Sequence, residues 1–270
     1  MTLPRAFLDT PIAHRGLHDT RAGRPENSIA AMRAAVAAGY GIEMDIQAAA
    51  GGTPMVFHDA TLDRMTAASG PVIAHDAQGL GGIGLTGGTE GIPTLAAVLA
   101  EVGGRVPLLI EFKDQSRVMG PVDGALERAV AETLAGYDGP VAVMSFNPQS
   151  VAALRNAAPD IPRGIVTGSY GHPEWAPLGP DRLARLRAIA DFDRVGASFI
   201  SHDKDDLEDA AVAALKASDV PVLSWTITSE AEARKARRIA DNITFEGFLP
   251  RPPGGLGGQG MIDPARIGPI

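Results

Sequence analysis

The chain has 270 residues, of which 45% are hydrophobic and 21% are charged, so its composition is that of a globular protein and not of a disordered or collagen-like one. Its 24 Lys and Arg residues against 32 Asp and Glu residues give a net charge of −8, which argues against a nucleic-acid partner. The absence of cysteine excludes disulfides and thiolate metal sites, so a bound metal would have oxygen or imidazole ligands.

The length fits one (β/α)₈ barrel, and we expect a single domain over residues 1–270. The N-terminus lacks the apolar segment of a signal peptide, and no apolar run approaches the roughly 18 residues of a membrane span. We therefore expect a cytoplasmic protein without stable membrane association. These observations leave room for a homodimer.

Short β-rich runs alternate with Ala-rich stretches of helical periodicity, which predicts an α/β fold with a parallel sheet covered by helices. About eight strands are predicted, the number that a closed TIM barrel needs. The predicted strands are 12–15, 41–47, 108–113, 141–146, 164–167, 198–201, 222–227 and 243–248. The predicted helices are 28–38, 94–102, 126–135, 149–157, 182–189, 207–217 and 230–240.

One additional strand, 55–58, follows strand 41–47 after a short turn at Gly51 and Gly52. The turn is too short for a parallel crossover, so this strand should return antiparallel as a hairpin arm. Residues from about 59 to 91, rich in Gly, Ala, Ser and Thr after residue 66, are predicted to form a small insertion at the C-terminal mouth of the barrel. The tail 250–260 is rich in Pro and Gly and is predicted to be an extended coil without chemistry.

Polar residues are concentrated at the C-terminal ends of the predicted strands, where the active sites of TIM barrels lie. In chain order they are His14 and Arg15, Glu43 and Asp45, His58, and Glu111 and Lys113. Since side chains alternate along a strand, Glu43 and Asp45 share one face, as do Glu111 and Lys113. Three carboxylates are therefore expected to point into the barrel together.

A buried cluster of like charges is costly unless it is neutralised, and a hard divalent cation with oxygen ligands is the simplest neutraliser. The pattern therefore favours a site for Mg²⁺ or Ca²⁺. The alternative is that the acids pair with Arg15 and Lys113 as a buried ion network.

Two histidines at neighbouring strand ends, His14 and His58, suit a general base and a general acid near neutral pH. Arg15 and Lys113 can supply positive contacts to a phosphate. Each of the other four histidines, taken alone, is better explained as solvated or structural: His18, His75, His172 and His202.

Glu26 and Asn27 precede the predicted helix 28–38. Spacing alone would make Asn27 the N-cap of this helix and Glu26 an acid favoured by the helix dipole.

Several motifs occur together in one order along nearly the whole chain. They are His14-Arg15-Gly16, Pro25-Glu26-Asn27-Ser28, Glu43-Met44-Asp45, His58-Asp59-Ala60-Thr61-Leu62-Asp63-Arg64, Ile92-Pro93-Thr94-Leu95, Ile110-Glu111-Phe112-Lys113, Ser145-Phe146-Asn147, Trp225-Thr226 and Thr244. In this set the sequence resembles the glycerophosphodiester phosphodiesterase family, of the phospholipase C-like phosphodiesterase superfamily.

The resemblance implies a TIM barrel holding one divalent cation, usually Ca²⁺ or Mg²⁺. It assigns the metal ligands as Glu43, Asp45 and Glu111, the catalytic pair as His14 and His58, the phosphate contacts as Arg15 and Lys113, and further site positions as Glu26 and Trp225. For Trp225, a role as a core indole is an equal alternative. The chain departs from the family at Thr244-Phe245-Glu246, where Thr-Asp is common, and Glu246 could substitute from a shifted position.

The implied activity is metal-dependent hydrolysis of glycerophosphodiesters to sn-glycerol 3-phosphate and an alcohol, by general acid and base catalysis from two histidines. One alternative is a lysophospholipase D, whose acyl chain would need a contiguous apolar surface on the insertion. Residues 66–91 offer only scattered apolar side chains, which favours water-soluble diesters. A second alternative, a catalytically silent barrel that binds sugar phosphates, is disfavoured because both histidines are present.

Overall fold

A computed structural model describes residues 2–251 of the chain. Within this range the chain forms nine strands, of which eight are parallel and close into a barrel. The strands are β1 (Ile12–Ala13), β2 (Gly41–Ala48), β3 (Pro54–Val56), β4 (Leu108–Phe112), β5 (Val141–Ser145), β6 (Arg163–Thr167), β7 (Phe199–Asp203), β8 (Val222–Ile227) and β9 (Asn242–Phe245).

The barrel closes because β1 pairs in parallel with both β2 and β9. The order around it is β1, β2, β4, β5, β6, β7, β8 and β9. The predicted TIM barrel is confirmed. Within β2, only Gly41 and Ile42 pair with β1, so the later part of this edge of β2 is left free. Strand β3 covers it by antiparallel pairing with residues Ile46 to Ala48. The predicted direction of the hairpin arm is therefore confirmed.

The structure describes ten helices, of which one lies in the segment 59–91 and most of the others cover the outside of the barrel. They are α1 (Ala6–Asp9), α2 (Ile29–Ala38), α3 (Ala77–Gly82), α4 (Leu95–Val102), α5 (Ala125–Leu134), α6 (Pro148–Ala157), α7 (Pro180–Arg187), α8 (Phe192–Val195), α9 (Ala210–Ala217) and α10 (Glu230–Ala236), with 3₁₀ turns at Thr20–Ala22, Val72–Ala74 and Pro173–Leu178. Side-chain oxygens of Ser28, Thr94 and Ser229 cap α2, α4 and α10 by accepting a backbone N–H. None of the described helices is long and apolar enough to cross a membrane.

Two layers of buried apolar side chains form the core that supports the site. The outer layer lies between strands and helices, and the inner layer fills the barrel with Leu109, Met144, Phe199 and Leu223 among others. A side chain at Gly164 would collide with the ring of Phe199, so glycine is required there for the inner layer to pack. The apolar layer closes the barrel interior below the strand ends and leaves its C-terminal mouth to polar groups.

The segment 59–91 has a small hydrophobic cluster of its own with the hairpin. The cluster includes Met55, Phe57, Leu62, Leu80 and Ile92. Apart from the 3₁₀ turn at Val72–Ala74 and the short helix α3, this segment is irregular, as expected from its composition.

Several predicted bounds were wrong at their ends. The strand expected over 12–15 ends at Ala13, because Arg15 and Gly16 have φ angles of 56° and 79° and turn the chain out of the sheet. The strand expected over 243–248 ends at Phe245, and the helix expected from residue 207 begins at Ala210. Residues 252–260 of the predicted tail lie outside the described residues.

Candidate active site

Three carboxylates meet inside the barrel mouth. Glu43 and Asp45 project inward from β2, and Glu111 projects from β4, where it pairs in register with Asp45. One oxygen from each lies within 4.8 Å of the others, and all three residues are buried. The alternation of the two strands predicted this arrangement, and the tertiary structure brings the three residues together.

Within the cluster, the ionised form of Glu43 is unfavourable. Burial raises the pKa of Glu43, and the nearby charges of Asp45 and Glu111 raise it further. Its Oε2 accepts the Arg15 N–H at 3.0 Å, but its buried Oε1 has no hydrogen-bond partner in the described part of the chain. A divalent cation fits this donor set, because it binds carboxylate oxygens and would both satisfy the orphaned atom and offset the repulsion.

Two cations already flank the cluster. Lys113 Nζ lies 2.7 Å from Glu111 Oε1 and 3.1 Å from Asp45 Oδ1, and Arg15 Nε lies 3.3 Å from Asp45 Oδ2. Burial opposes the charged form of Asp45, but Lys113 and nearby cationic groups outweigh it and hold the pKa of Asp45 below its ordinary value. The alternative ion network is therefore present as well, and among residues 2–251 it includes no Lys or Arg salt bridge to Glu43.

His14 follows β1 directly and is held from the end of β9. Its Nδ1 lies 2.7 Å from Glu246 Oε2, and its Nε2 lies 4.0 Å from Glu43 Oε2. Burial lowers the pKa of His14, against the opposing effect of Glu246. The hydrogen bond from His14 lowers the pKa of Glu246, and His18, whose Nε2 lies 3.5 Å from Glu246 Oε2, lowers it further. A neutral His14 that donates from Nδ1 to an ionised Glu246 leaves the lone pair on Nε2.

His58 follows the hairpin arm and is held in the same way by its neighbour in sequence. Its Nδ1 lies 2.6 Å from Asp59 Oδ1. Arg64 donates from Nε and Nη2 to both oxygens of Asp59, at 2.6 and 2.9 Å. Burial raises the pKa of Asp59, but the hydrogen bonds from His58 and Arg64 prevail and lower it.

Arg64 also connects His58 to the acid cluster. It donates to Glu26 at 2.6 and 2.9 Å, and Glu26 in turn accepts from Arg15 Nη1 at 2.8 Å. Burial opposes ionisation of Glu26, yet the hydrogen bond from Arg64 leads the effects that lower its pKa. Glu26 therefore holds two guanidinium groups in place.

Asn27 does not cap α2, contrary to the interpretation from spacing. Ser28 is the cap, and Asn27 adopts a left-handed backbone with φ of 58° that turns its side chain inward. Its Nδ2 donates to Asp45 Oδ2 at 2.9 Å. Asn27 therefore fixes the position of an acid of the cluster.

A cavity of about 540 Å³ opens beside these groups. His58, Glu111 and Lys113 line part of it. The aromatic wall of the cavity consists of Phe146, Tyr170, Trp175 and Trp225, with the ring of Phe146 in contact with the other three. Since Trp225 lines the cavity and donates from Nε1 to the carbonyl of Ser201 at 3.0 Å, it is both packed and accessible from the site.

Four residues that contact the predicted site had no firm role from the sequence alone: Asp59, Arg64, Glu246 and Asn27. All four lie within or beside motifs already recognised, but their contacts depend on how separate loops meet. The remaining buried histidine, His202, is structural as expected, because Nδ1 pairs with Thr167 Oγ1 at 2.7 Å and Nε2 with the Asp206 carbonyl at 3.1 Å.

Comparison with known proteins gives consistent matches. A family model, the glycerophosphoryl diester phosphodiesterase family, matches residues 14–242. The chain is 29% identical to YhdW of Bacillus subtilis (strain 168) over 239 residues, covering 84% of this chain and 90% of YhdW. It is 32% identical to a glycerophosphodiester phosphodiesterase of Caldanaerobacter subterraneus over 163 residues, covering 57% of this chain and 65% of that protein.

Solved structures share the fold. A phosphodiesterase of Oleispira antarctica, in complex with the product sn-glycerol-3-phosphate, superposes with a TM-score of 0.73 at 23% identity, covering 89% of this chain and 94% of the other. A glycerophosphodiester phosphodiesterase of Agrobacterium tumefaciens superposes with a TM-score of 0.66 at 22% identity, covering 88% and 96% of the two chains.

Proposed function

Because the chain belongs to the glycerophosphoryl diester phosphodiesterase family, a family of hydrolases, we propose that it hydrolyses glycerophosphodiesters to sn-glycerol 3-phosphate and an alcohol. The observation that carries the proposal is the meeting of three buried carboxylates with two carboxylate-held histidines around one barrel mouth. The product bound to the Oleispira antarctica phosphodiesterase supports the choice of product.

The acid cluster would hold one divalent cation, either Mg²⁺ or Ca²⁺. Glu43, Asp45 and Glu111 are the proposed ligands, and the unpartnered Oε1 of Glu43 supports this assignment. When bound, the cation supplies positive charge that polarises the phosphate and favours ionisation of the attacking hydroxyl.

The two histidines are the proposed proton carriers. One takes the proton of the attacking hydroxyl, and the other gives a proton to the oxygen of the departing alcohol. Attack by water gives glycerol 3-phosphate directly, whereas attack by a hydroxyl of the substrate gives a cyclic phosphate that water must then open. Both His14 and His58 are held at Nδ1 by a carboxylate, which leaves Nε2 of each ring to exchange protons. The shared mode of support favours a matched pair over two structural histidines.

Arg15 and Lys113 are the proposed phosphate contacts. Both guanidinium and ammonium groups lie at the acid cluster, so they can stabilise the charge that grows on the phosphoryl oxygens. Glu26 holds the Arg15 guanidinium, and we assign it a positioning role for that group. Trp225 is proposed to contact the substrate from the aromatic wall.

An assay for released glycerol 3-phosphate tests the proposal. Glycerophosphocholine and glycerophosphoglycerol should be hydrolysed with Mg²⁺ or Ca²⁺ present, activity should fall on chelation, and it should return when the ion is restored. Zero release of glycerol 3-phosphate under all metal conditions would contradict the activity. Full turnover after chelation would contradict the metal site.

A further inference from the structure

The aromatic wall raises the question of which alcohol group the cavity accepts. Phe146 follows β5, Tyr170 and Trp175 follow β6, and Trp225 lies within β8, so the wall is separate from the insertion 59–91. Phe146 is central, with its ring centroid 5.3 Å from that of Trp175 and 5.5 Å from that of Trp225. The cavity therefore offers a continuous aromatic surface next to the reacting groups.

One carboxylate stands beside this surface. Asp203 lines the same cavity, and it pairs in register with Trp225 between β7 and β8. Asp203 Oδ1 accepts the backbone N–H of Asp205 at 3.0 Å, and Asp203 forms no ion pair within residues 2–251. A Cβ built on Gly168 would lie 3.0 Å from Cβ of Asp203, so the small residue leaves room for this side chain.

Other charged groups of the cavity either have hydrogen-bond or ion-pair partners or lie elsewhere on its rim. Lys113 pairs with Glu111, and Asp114 accepts hydrogen bonds from Ser116 and Asn147. The exposed Arg117 belongs to the loop after β4, whereas Asp203 ends β7. Within the part of the chain that the structure describes, Asp203 is therefore a carboxylate without an ion pair beside the aromatic wall.

From this juxtaposition, and resting on the proposed function, we propose that the cavity selects diesters whose alcohol carries a positively charged ammonium group, with a quaternary ammonium such as choline preferred. Aromatic faces attract a weakly hydrated cation through the ring quadrupole, and a carboxylate adds direct attraction. An acyl chain fits less well, because it would bury the unpaired carboxylate against hydrocarbon. A neutral polyol also fits less well, because its hydroxyl groups would find no hydrogen-bond partners on the aromatic faces.

The two tryptophans allow the preference for a cation to be tested by a binding measurement that does not depend on catalysis. The chain has 2 Trp residues, and both line the cavity, so intrinsic fluorescence reports on this wall. The metal-loaded protein is titrated with choline chloride, and separately with 3,3-dimethyl-1-butanol, in which carbon replaces the cationic nitrogen. Sodium chloride at equal concentration controls for ionic strength. We expect choline to bind at least about tenfold more tightly than the neutral alcohol.

Asp203→Asn removes the charge with little change in shape, and we expect it to weaken choline binding by about tenfold while affecting the neutral alcohol much less. Asp205→Asn is the matched control, since it removes an exposed carboxylate two residues away that lines a different surface. Equal affinity for choline and its neutral analogue, or unchanged choline affinity in Asp203→Asn, would overturn the inference.

Kinetics separate this inference from the proposed function. The ratio of kcat/KM for glycerophosphocholine over glycerophosphoglycerol should exceed one and fall in Asp203→Asn but not in Asp205→Asn. Hydrolysis of both diesters with a ratio unaffected by Asp203→Asn contradicts only the selectivity. Choline binding without hydrolysis of any diester contradicts the proposed function and leaves the cation site supported.

Discussion

Nδ1 of His14 and Oε2 of Glu246 lie 2.7 Å apart, although 232 positions separate the two residues in the chain. Barrel closure causes this contact, since Ala13 of β1 pairs with Phe245 of β9 and each of the two polar residues comes next along its strand. The last strand thus supplies the group that orients a histidine carried by the first strand.

Glu246→Gln should lower kcat by about 10- to 100-fold with little change in KM, because the amide oxygen still accepts from Nδ1 but no longer stabilises a protonated ring. The kcat–pH profile should shift as well. Glu230→Gln, an exposed substitution on α10, is the control. A change confined to thermal stability would assign Glu246 a structural role only.

His14→Ala and His58→Ala should each lower kcat by at least about 10²-fold, the usual scale for a general acid or base. Release of glycerol 3-phosphate and the thermal midpoint are measured together, and the midpoint should stay close to that of the unmodified chain. His75→Ala in the insertion serves as the control and should keep full activity. Full turnover in either of the first two variants would refute its assignment.

Arg64→Gln should lower kcat by about tenfold or more. The variant loses the hydrogen bonds that hold Asp59, the partner of His58, and Glu26, the partner of Arg15. Arg64→Lys should restore only part of the activity, since one ammonium cannot bridge both carboxylates in the same geometry. Arg33→Gln removes a comparable fork onto Glu101 outside the site and is the control. Equal kcat in Arg64→Gln and Arg33→Gln would contradict the bridging role.

Glu43→Gln should abolish the thermal stabilisation that Mg²⁺ or Ca²⁺ gives. A ligand at about 100 times its Kd stabilises the folded state by about 2.7 kcal/mol, or about 5–10 °C for a chain of this size. Glu208→Gln, exposed on the surface, should keep the full shift. Equal metal shifts in both variants would exclude Glu43 as a ligand.

The buried Glu127, which lies on α5 away from the candidate site, should make the stability of the fold depend on pH. Burial raises the pKa of Glu127 above its ordinary value, and its carboxylate accepts a hydrogen bond from Ser150. Its contribution to stability is therefore present at pH values below the pKa of the unfolded chain and is lost as pH rises through the folded value. Glu127→Gln should exceed the unmodified chain in thermal midpoint at pH 8, and the difference should vanish near pH 4. Glu132→Gln, exposed on the same helix, should show no such divergence.

Local patterns were sufficient for the parts of the site that lie along single strands. The two-residue period put Glu43 with Asp45 and Glu111 with Lys113, and the Lys113–Glu111 contact of 2.7 Å agrees with that expectation. The same patterns failed at strand ends such as Arg15, where a positive φ begins a turn that side-chain alternation does not encode.

The sequence by itself determined the barrel and the count of its strands, because periodicity is a property of neighbouring residues. Motif order supplied the residues that we propose as the reacting groups. The tertiary structure alone decided which groups support them: Glu246 behind His14, Arg64 between Asp59 and Glu26, and Asp203 beside the aromatic wall. The physical reason is that these contacts join loops from different strands, and only closure of the barrel brings those loops to one mouth.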